Sequence, residues 1–273
     1  MYDFTDRGSV SISMEAYTRE VLQCYNVRGK AATPALEHLF EVREESTKLS
    51  EAGREEFHSA VAKLLYQAKR IRPDILPAII FLTSRVTKAD VDDQAKLERV
   101  LKYLNVNPEL CIKLKVGRTL SVIGFVDAAY GVHHDYRSHT GAMISLGTGP
   151  VFVKSSKQKI NSKSSTEAEL VGLSDSASQV IWTRDFLAAQ GYELQSAEIY
   201  QDNKSTIAMI EKGRSTSEKS RHINIRFFFL KDRISAKEIK ITYLPTELMV
   251  ADILTKPLQG RLFLELRGKL MGH

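Results

Sequence analysis

Cysteine is almost missing: only Cys24 and Cys111 occur among 273 residues, and neither sits in a metal-ligand spacing. Two unrelated cysteines rule out a disulfide framework and fit free thiols in a reducing compartment. No two histidines stand in H-x-x-x-H spacing, so the usual zinc donor sets are missing as well. Long apolar runs are lacking too. The longest, near residues 75–82, is interrupted by Pro77 and is far too short to cross a bilayer. Met1-Tyr2-Asp3-Phe4 does not begin the basic-then-apolar pattern of a signal peptide. The expectation is a soluble, cytoplasmic protein without a membrane partner.

What is present is ordinary in amount. With 43% hydrophobic and 26% charged residues, the chain has core enough for one large domain or two modest ones. A formal charge of +6 is a modest pointer toward an acidic partner such as nucleic acid.

Residues 1–52 are mixed and polar, with a helix expected over 14–25, a linker at 30–34 and a charged loop at 41–50. Helical period is clear after Gly53, where Phe57, Val61, Leu64, Leu65 and Ala68 share one face. A second helix follows Pro73, and a third spans 93–104 with Leu97, Val100, Leu101 and Leu104 inward. Val91-Asp92-Asp93 mimics the paired aspartates of a polymerase. It opens a helix rather than joining two strands, and acids in a first helical turn suit the macrodipole.

After Gly117 the texture changes to strands and turns. Strands are expected at 120–127, 139–146, 150–155, 197–201 and 238–244. A long helix from Ser165 to about Gln190, shorter ones after Asn203 and near 221–234, and a final helix from about Glu247 complete the order. A polar loop fills 213–220. Three antiparallel strands followed by helical crossovers predict an α/β fold with a mixed five-stranded sheet flanked by helices, preceded by a small helical region.

Four carboxylates stand in unusual settings. Asp127 ends the strand Val122-Ile123-Gly124-Phe125-Val126, where an acid is costly to bury unpartnered. Ser164-Ser165-Thr166-Glu167 fits a capping box, which occupies Glu167. Glu169 shares a face with Leu173, Ala177, Val180 and Ile181 and is the better metal ligand of the two. Asp202 ends a strand before a helix, where ligands bind in open α/β sheets, and Asn203 is at hand as the helix cap. Asp252 lies between Ala251 and Ile253. Oxygen donors of this kind suit Mg²⁺ or Mn²⁺. His133, His134 and His139 are expected in a turn, solvated or facing substrate.

Several motifs recur together: Asp135-Tyr136-Arg137-Ser138-His139-Thr140-Gly141, Ser156-Lys157-Gln158, Ser164-Ser165-Thr166-Glu167-Ala168-Glu169-Leu170 and Asp202-Asn203-Lys204-Ser205. Ser220-Arg221-His222-Ile223-Asn224-Ile225-Arg226 follows, then Tyr243-Leu244-Pro245-Thr246 leading to Ala251-Asp252-Ile253-Leu254-Thr255-Lys256-Pro257-Leu258. In combination, over residues 57–258, they resemble the C-terminal end of the Pol polyprotein of copia-type LTR retrotransposons. The resemblance implies an RNase H-like domain over 116–258, a thumb- or connection-like helical remnant of a reverse transcriptase over 1–115, and a C-terminal tail at 259–273. It implies catalytic, metal-binding acids at Asp127, Glu169, Asp202 and Asp252. The second place falls on Glu169 because the family's Glu precedes Leu in an Ala-Glu-Leu-like run. It further implies two Mg²⁺ ions (or Mn²⁺), an RNA:DNA hybrid as substrate, the polymerase domain of the same polyprotein as partner, and a cytoplasmic virus-like particle as setting. Arg137, Lys154, Lys157, Lys159, Lys163, Asn203 and Arg221 are the expected nucleic-acid contacts. The chain departs from the family in three ways. The polymerase palm is absent, so copying is not expected. Phe228 stands where copia-type elements usually carry His. The loop Pro245-Thr246-Glu247 has no His before the last Asp. The competing expectations are a silent Pol fragment that binds hybrid or packs on a polymerase without cutting, and a DNA nuclease on the same fold.

Overall fold

The computed structural model describes residues 1–212 and 221–273; the expected polar loop at 213–220, Ser220 included, lies outside them. Two compact units divide the chain, one of Met1–Lys113 with Lys256–His273 and one of Leu114–Thr255.

The first unit opens on a hairpin of β1 (Tyr2–Asp3) and β2 (Ser9–Ile12), with Tyr2 opposite Ile12. Helices follow at α1 (Glu15–Cys24), α2 (Glu51–Ala68), α3 (Leu76–Thr83) and α4 (Val91–Val106). The hairpin was not legible because two exposed residues on one strand carry no alternation. Ser50 caps α2 by accepting the Gly53 amide at 3.2 Å. At α4 the acidic run is a capping box: Asp90 accepts the Asp93 amide at 3.1 Å and Asp93 accepts the Asp90 amide at 3.3 Å. Arg85 donates to both carboxylates at 2.9 Å. These acids start a helix, as their context required.

Between α2 and α3 a buried ion pair holds the turn. Arg72 donates to both oxygens of Asp74 at 3.0 and 2.9 Å and to the Asn107 carbonyl at 2.7 Å. The Tyr103 hydroxyl donates to Asp74 at 2.6 Å. Both ionic side chains are fully buried. Burial alone would raise the Asp74 pKa; the Arg72 charge and the hydrogen bonds outweigh it and hold the carboxyl below its usual range. Removing one member leaves an uncompensated buried charge. Asp74→Ala is expected to cost about 3–5 kcal/mol, read as a lowered midpoint for loss of helical signal in urea. A shift under about 1 kcal/mol, the scale of an exposed pair, would contradict this account.

The second unit begins within β3 (Ile112–Val116), whose Lys115 and Val116 pair with the short β6 (Gly147–Thr148). Its main sheet contains β4 (Ile123–Ala129), β5 (His139–Ser145), β7 (Phe152–Lys157), β8 (Ala197–Gln201) and β9 (Ile239–Tyr243), in the order β7-β5-β4-β8-β9. Strand β5 is antiparallel to both β4 and β7, and β8 and β9 run parallel to β4. Helices α5 (Ser165–Ala189), α6 (Lys204–Lys212) and α7 (Arg221–Ser235) supply the crossovers. Leu170, Leu173, Ala177 and Val180 of α5 and Phe227 and Leu230 of α7 join Val126, Ala142, Ile144 and Ile199 in one core.

Two expectations need correction here. The final helix expected from about Glu247 is a pair of 3₁₀ turns, Thr246–Leu248 and Val250–Leu254. An α-helix continuing there would need an amide hydrogen that Pro257 lacks, and Lys256 before it is steered out of the α region. Residues 259–273, expected as a tail, contain α8 (Gly260–Met271), with Phe263, Leu266 and Leu270 buried at helical spacing.

Candidate active site

Parallel pairing sets the first two acids. Phe125 of β4 stands opposite Tyr200 of β8. Two residues further along each chain come Asp127 and Asp202, so the register alone makes them neighbours on one face. Asp252 arrives from the 3₁₀ turn Val250–Leu254. One carboxylate oxygen from each of Asp127, Asp202 and Asp252 lies within 4.8 Å of the others. Asp127 and Asp252 are buried and Asp202 is half-buried.

Glu169, in the first turns of α5, is buried and faces this group. Its pKa is pushed well above the usual glutamate value, first by burial and then by the charges of Asp127 and Asp202. Gln201 donates Nε2–H to Glu169 Oε2 at 3.1 Å, and the Ala128 amide also serves the carboxylate. Two unit charges at this separation repel by roughly 3 kcal/mol even at an effective dielectric near 20. Hard oxygen donors at this density fit a divalent cation such as Mg²⁺ or Mn²⁺.

The supports of the acids come from small residues. Thr246 donates its hydroxyl to Asp202 Oδ2 at 2.7 Å, and Thr255 donates to Asp127 Oδ2. Asp127, Gly141 and Ser155 form one cross-strand row through β4, β5 and β7. Gly141 makes the middle of that row a saddle. A Cβ there would lie 2.7 Å from Thr255 Cγ2, 2.8 Å from the Ala251 carbonyl oxygen and 2.8 Å from Leu254 Cβ. The turn bearing Asp252 can therefore sit on the sheet only because this residue has no side chain.

The other residues singled out in the sequence fall as follows. Glu167 does capping work at the start of α5: its amide bonds the Ser164 hydroxyl at 3.2 Å and its carboxylate accepts the Lys163 amide at 2.8 Å, one residue before the amide a capping box would use. Asn203 caps α6 by accepting the Thr206 amide at 3.0 Å. Asp135 bridges Lys157 at 2.6 Å and Arg137 at 3.5 Å. Lys159, Lys163 and Arg221 are exposed and Lys154 is half-buried. The histidines differ from expectation. His134 is exposed, but His133 and His139 are buried. His139 opens β5, as the strand expected at 139–146 required, but it faces protein partners on both ring nitrogens: His133 Nε2 at 2.9 Å and Ser155 Oγ at 2.7 Å. Gln201, Thr246, Thr255 and Gly141 were missed. Gln201 had a signal: in Ala197-Glu198-Ile199-Tyr200-Gln201 it falls on the buried side of the alternation, where a polar residue needs a partner.

The raised pKa of Glu169 has a sign that can be measured. Between the ordinary and the raised value the folded chain holds more protons than the unfolded chain, so this group's contribution falls as pH rises through that window. At neutral pH it opposes folding. Glu169→Gln is expected to raise the melting temperature at pH 7.5 without divalent cations by about 2–4 °C, with the gain shrinking toward pH 5. An unchanged or lowered melting temperature would remove Glu169 from the charged group.

No protein-family model matches the chain. Among curated proteins it is 30% identical over 263 residues to the retrovirus-related Pol polyprotein from transposon RE2 of Arabidopsis thaliana, covering 95% of this chain and 18% of that protein. Against the corresponding polyprotein from transposon RE1 it is 31% identical over 79% of this chain and 15% of the relative. The polyprotein from transposon TNT 1-94 of Nicotiana tabacum is 26% identical over 96% of this chain and 20% of its own length. The chain thus spans a fifth or less of these relatives. Among solved structures, LC11-RNase H1 from compost covers 50% of the chain at a TM-score of 0.38 and 14% identity. The foamy viral protease-reverse transcriptase covers 90% at 0.47 and 13%. By sequence, the chain is a homologue of one segment of the Pol polyproteins of copia-type retrotransposons, and its sheet order and strand directions are those of an RNase H-like α/β fold.

Proposed function

We propose that the unit Leu114–Thr255 is a ribonuclease H that hydrolyses the RNA strand of an RNA:DNA hybrid as part of a retrotransposon polyprotein. One observation carries the reading: Asp127, Asp202 and Asp252, far apart in sequence, bring carboxylate oxygens within 4.8 Å of one another beside a buried Glu169. Such a concentration of like charge works against folding and finds its use in binding cations.

Asp127, Glu169, Asp202 and Asp252 would hold the metal, proposed as two Mg²⁺ ions with Mn²⁺ able to substitute. When bound, these ions supply an acidified water and neutralise charge at the scissile phosphate. The chain's own groups do the positioning. Gln201 and the Ala128 amide hold Glu169 toward the cluster, and Thr246 and Thr255 fix the carboxylates of Asp202 and Asp127. Without a cation, burial and then the charges of Asp127 and Asp202 favour the protonated form of Glu169. Arg137, Lys154, Lys157, Lys159, Lys163, Asn203 and Arg221 are the proposed nucleic-acid contacts, with Asp135 ordering Arg137 and Lys157 from behind. Hybrid would be recognised by backbone shape and 2′-hydroxyls rather than by base sequence. The proposal extends to domain roles: a thumb- or connection-like region over 1–115, the nuclease over 116–258, and a reverse-transcriptase polymerase domain of the same polyprotein as partner.

Asp202→Asn is the cleanest test, since this acid is half-buried and its loss spares the core. Mg²⁺-dependent cleavage of labelled hybrid is expected to fall by about 100-fold or more with the melting temperature essentially kept. Wild-type activity in that variant would remove Asp202 from the site. A wild-type chain that retains hybrid but never cuts it would favour a silent Pol fragment, and cleavage of duplex DNA would favour a DNA nuclease.

A further inference from the structure

The turn Val250–Leu254 is held at one end by Thr255 on Asp127. Its other hold is a buried polar chain that the carboxylate cluster does not include. Ser155 Oγ lies 2.8 Å from the Leu254 carbonyl oxygen, His139 Nε2 lies 2.7 Å from Ser155 Oγ, and His133 Nε2 lies 2.9 Å from His139 Nδ1. His139 is 0% exposed, Ser155 4% and His133 8%.

The chemistry of the donors fixes the direction of this chain. A carbonyl oxygen only accepts, so the single hydroxyl proton of Ser155 points at Leu254. Ser155 Oγ must then accept from His139, which places the His139 proton on Nε2. The lone pair left on Nδ1 accepts in turn from His133 Nε2–H. Three hydrogen bonds thus run one way, from His133 through His139 and Ser155 to the turn. Burial pushes His133 down to about 4 and His139 to about 3, His133's neighbour Lys157 adding to the first and His133 itself to the second. Each ring is then neutral with one N–H at physiological pH, as the chain of donors requires.

We propose that His139 is a positioning residue, which through Ser155 locks the Leu254 carbonyl and so sets the turn that delivers Asp252 to the carboxylate cluster. Asp252 lies two residues before the bonded carbonyl, inside the same 3₁₀ turn, so an untethered Leu254 lets the acid drift from its partners. Strands β5 and β7 support this tether, whereas Gly141 supplies only the space beneath the turn. The role presupposes that the cluster binds metal, and the test separates the two ideas.

The full chain is compared with Ser155→Ala, His139→Leu, His139→Gln and the double variant Ser155→Ala/His139→Leu. Three quantities are followed: Mn²⁺ affinity by calorimetry, the Mg²⁺ concentration for half-maximal hybrid cleavage, and the melting temperature. Ser155→Ala and His139→Leu are each expected to weaken Mn²⁺ binding and raise the Mg²⁺ requirement about tenfold, as loss of an outer support does at metal sites. KM for hybrid should stay within about twofold, because no substrate contact is touched. The double variant should be no worse than either single one, since both break one path. His139→Gln keeps an N–H donor and should recover most of the loss. Long-range ¹H–¹⁵N spectra of the wild type should show both rings protonated on Nε2. Wild-type Mn²⁺ affinity in Ser155→Ala, additive losses in the double variant, or a ring protonated on Nδ1 would each overturn the tether. A wild type that binds no Mn²⁺ and cuts no hybrid would overturn the nuclease reading, and the positioning role with it. Cleavage that is indifferent to all four variants would remove the tether alone.

Discussion

Mutual repulsion among carboxylates is the constraint to which the second unit answers. Three aspartates share a space less than 5 Å across and a buried glutamate faces them, although each would be more stable apart. The parallel pairing of β4 with β8 puts Asp127 beside Asp202, and α5 presses Glu169 in from a face otherwise made of Leu170, Leu173 and Ala177. The apolar packing around the group provides the rigidity that holds like charges together. The packing energy of the α/β core is spread over many contacts, while the repulsion is concentrated at one point.

Three uncharged side chains around the cluster, Gln201, Thr246 and Thr255, act as its supports. Gln201 spans Glu169, the Val126 carbonyl and the Asn203 amide, so one amide side chain ties α5, β4 and the β8–α6 junction together. Thr246 and Thr255 contribute hydroxyls and no charge. An arginine in any of these places would neutralise the site and compete with a cation for the same oxygens. In the first unit the opposite solution is used: Arg72 and Arg85 neutralise Asp74, Asp90 and Asp93 directly. Buried acids in the two units therefore serve different ends. Those of the first close turns and cap a helix, and those of the second are gathered into one cluster.

Much of this was legible from local pattern. The strand Ala197–Gln201 is found at the expected limits, α5 begins at the expected Ser165, and Glu167 does the capping work its signature predicted in outline. What was illegible depends on contacts far apart in the chain. Gly141 reads in sequence as one more residue of a β-strand, and only the turn pressed onto it shows why a side chain cannot be there. His139 was expected solvated or facing substrate, whereas in space its ring nitrogens meet His133 and Ser155 of β7. The apolar run Val250-Ala251-Asp252-Ile253-Leu254 suggested an α-helix by composition, and the demands of Pro257 and of the sheet made it a tighter turn.

The bond from Thr255 to Asp127 joins positions 128 residues apart. During synthesis the strand holding the first acid leaves the ribosome long before the turn holding the last. Until that late segment emerges and settles on the glycine saddle, the pocket has neither its fourth carboxyl nor the hydroxyl that orients the first. In a growing polypeptide the carboxylate cluster is therefore assembled only when translation of the unit is nearly finished.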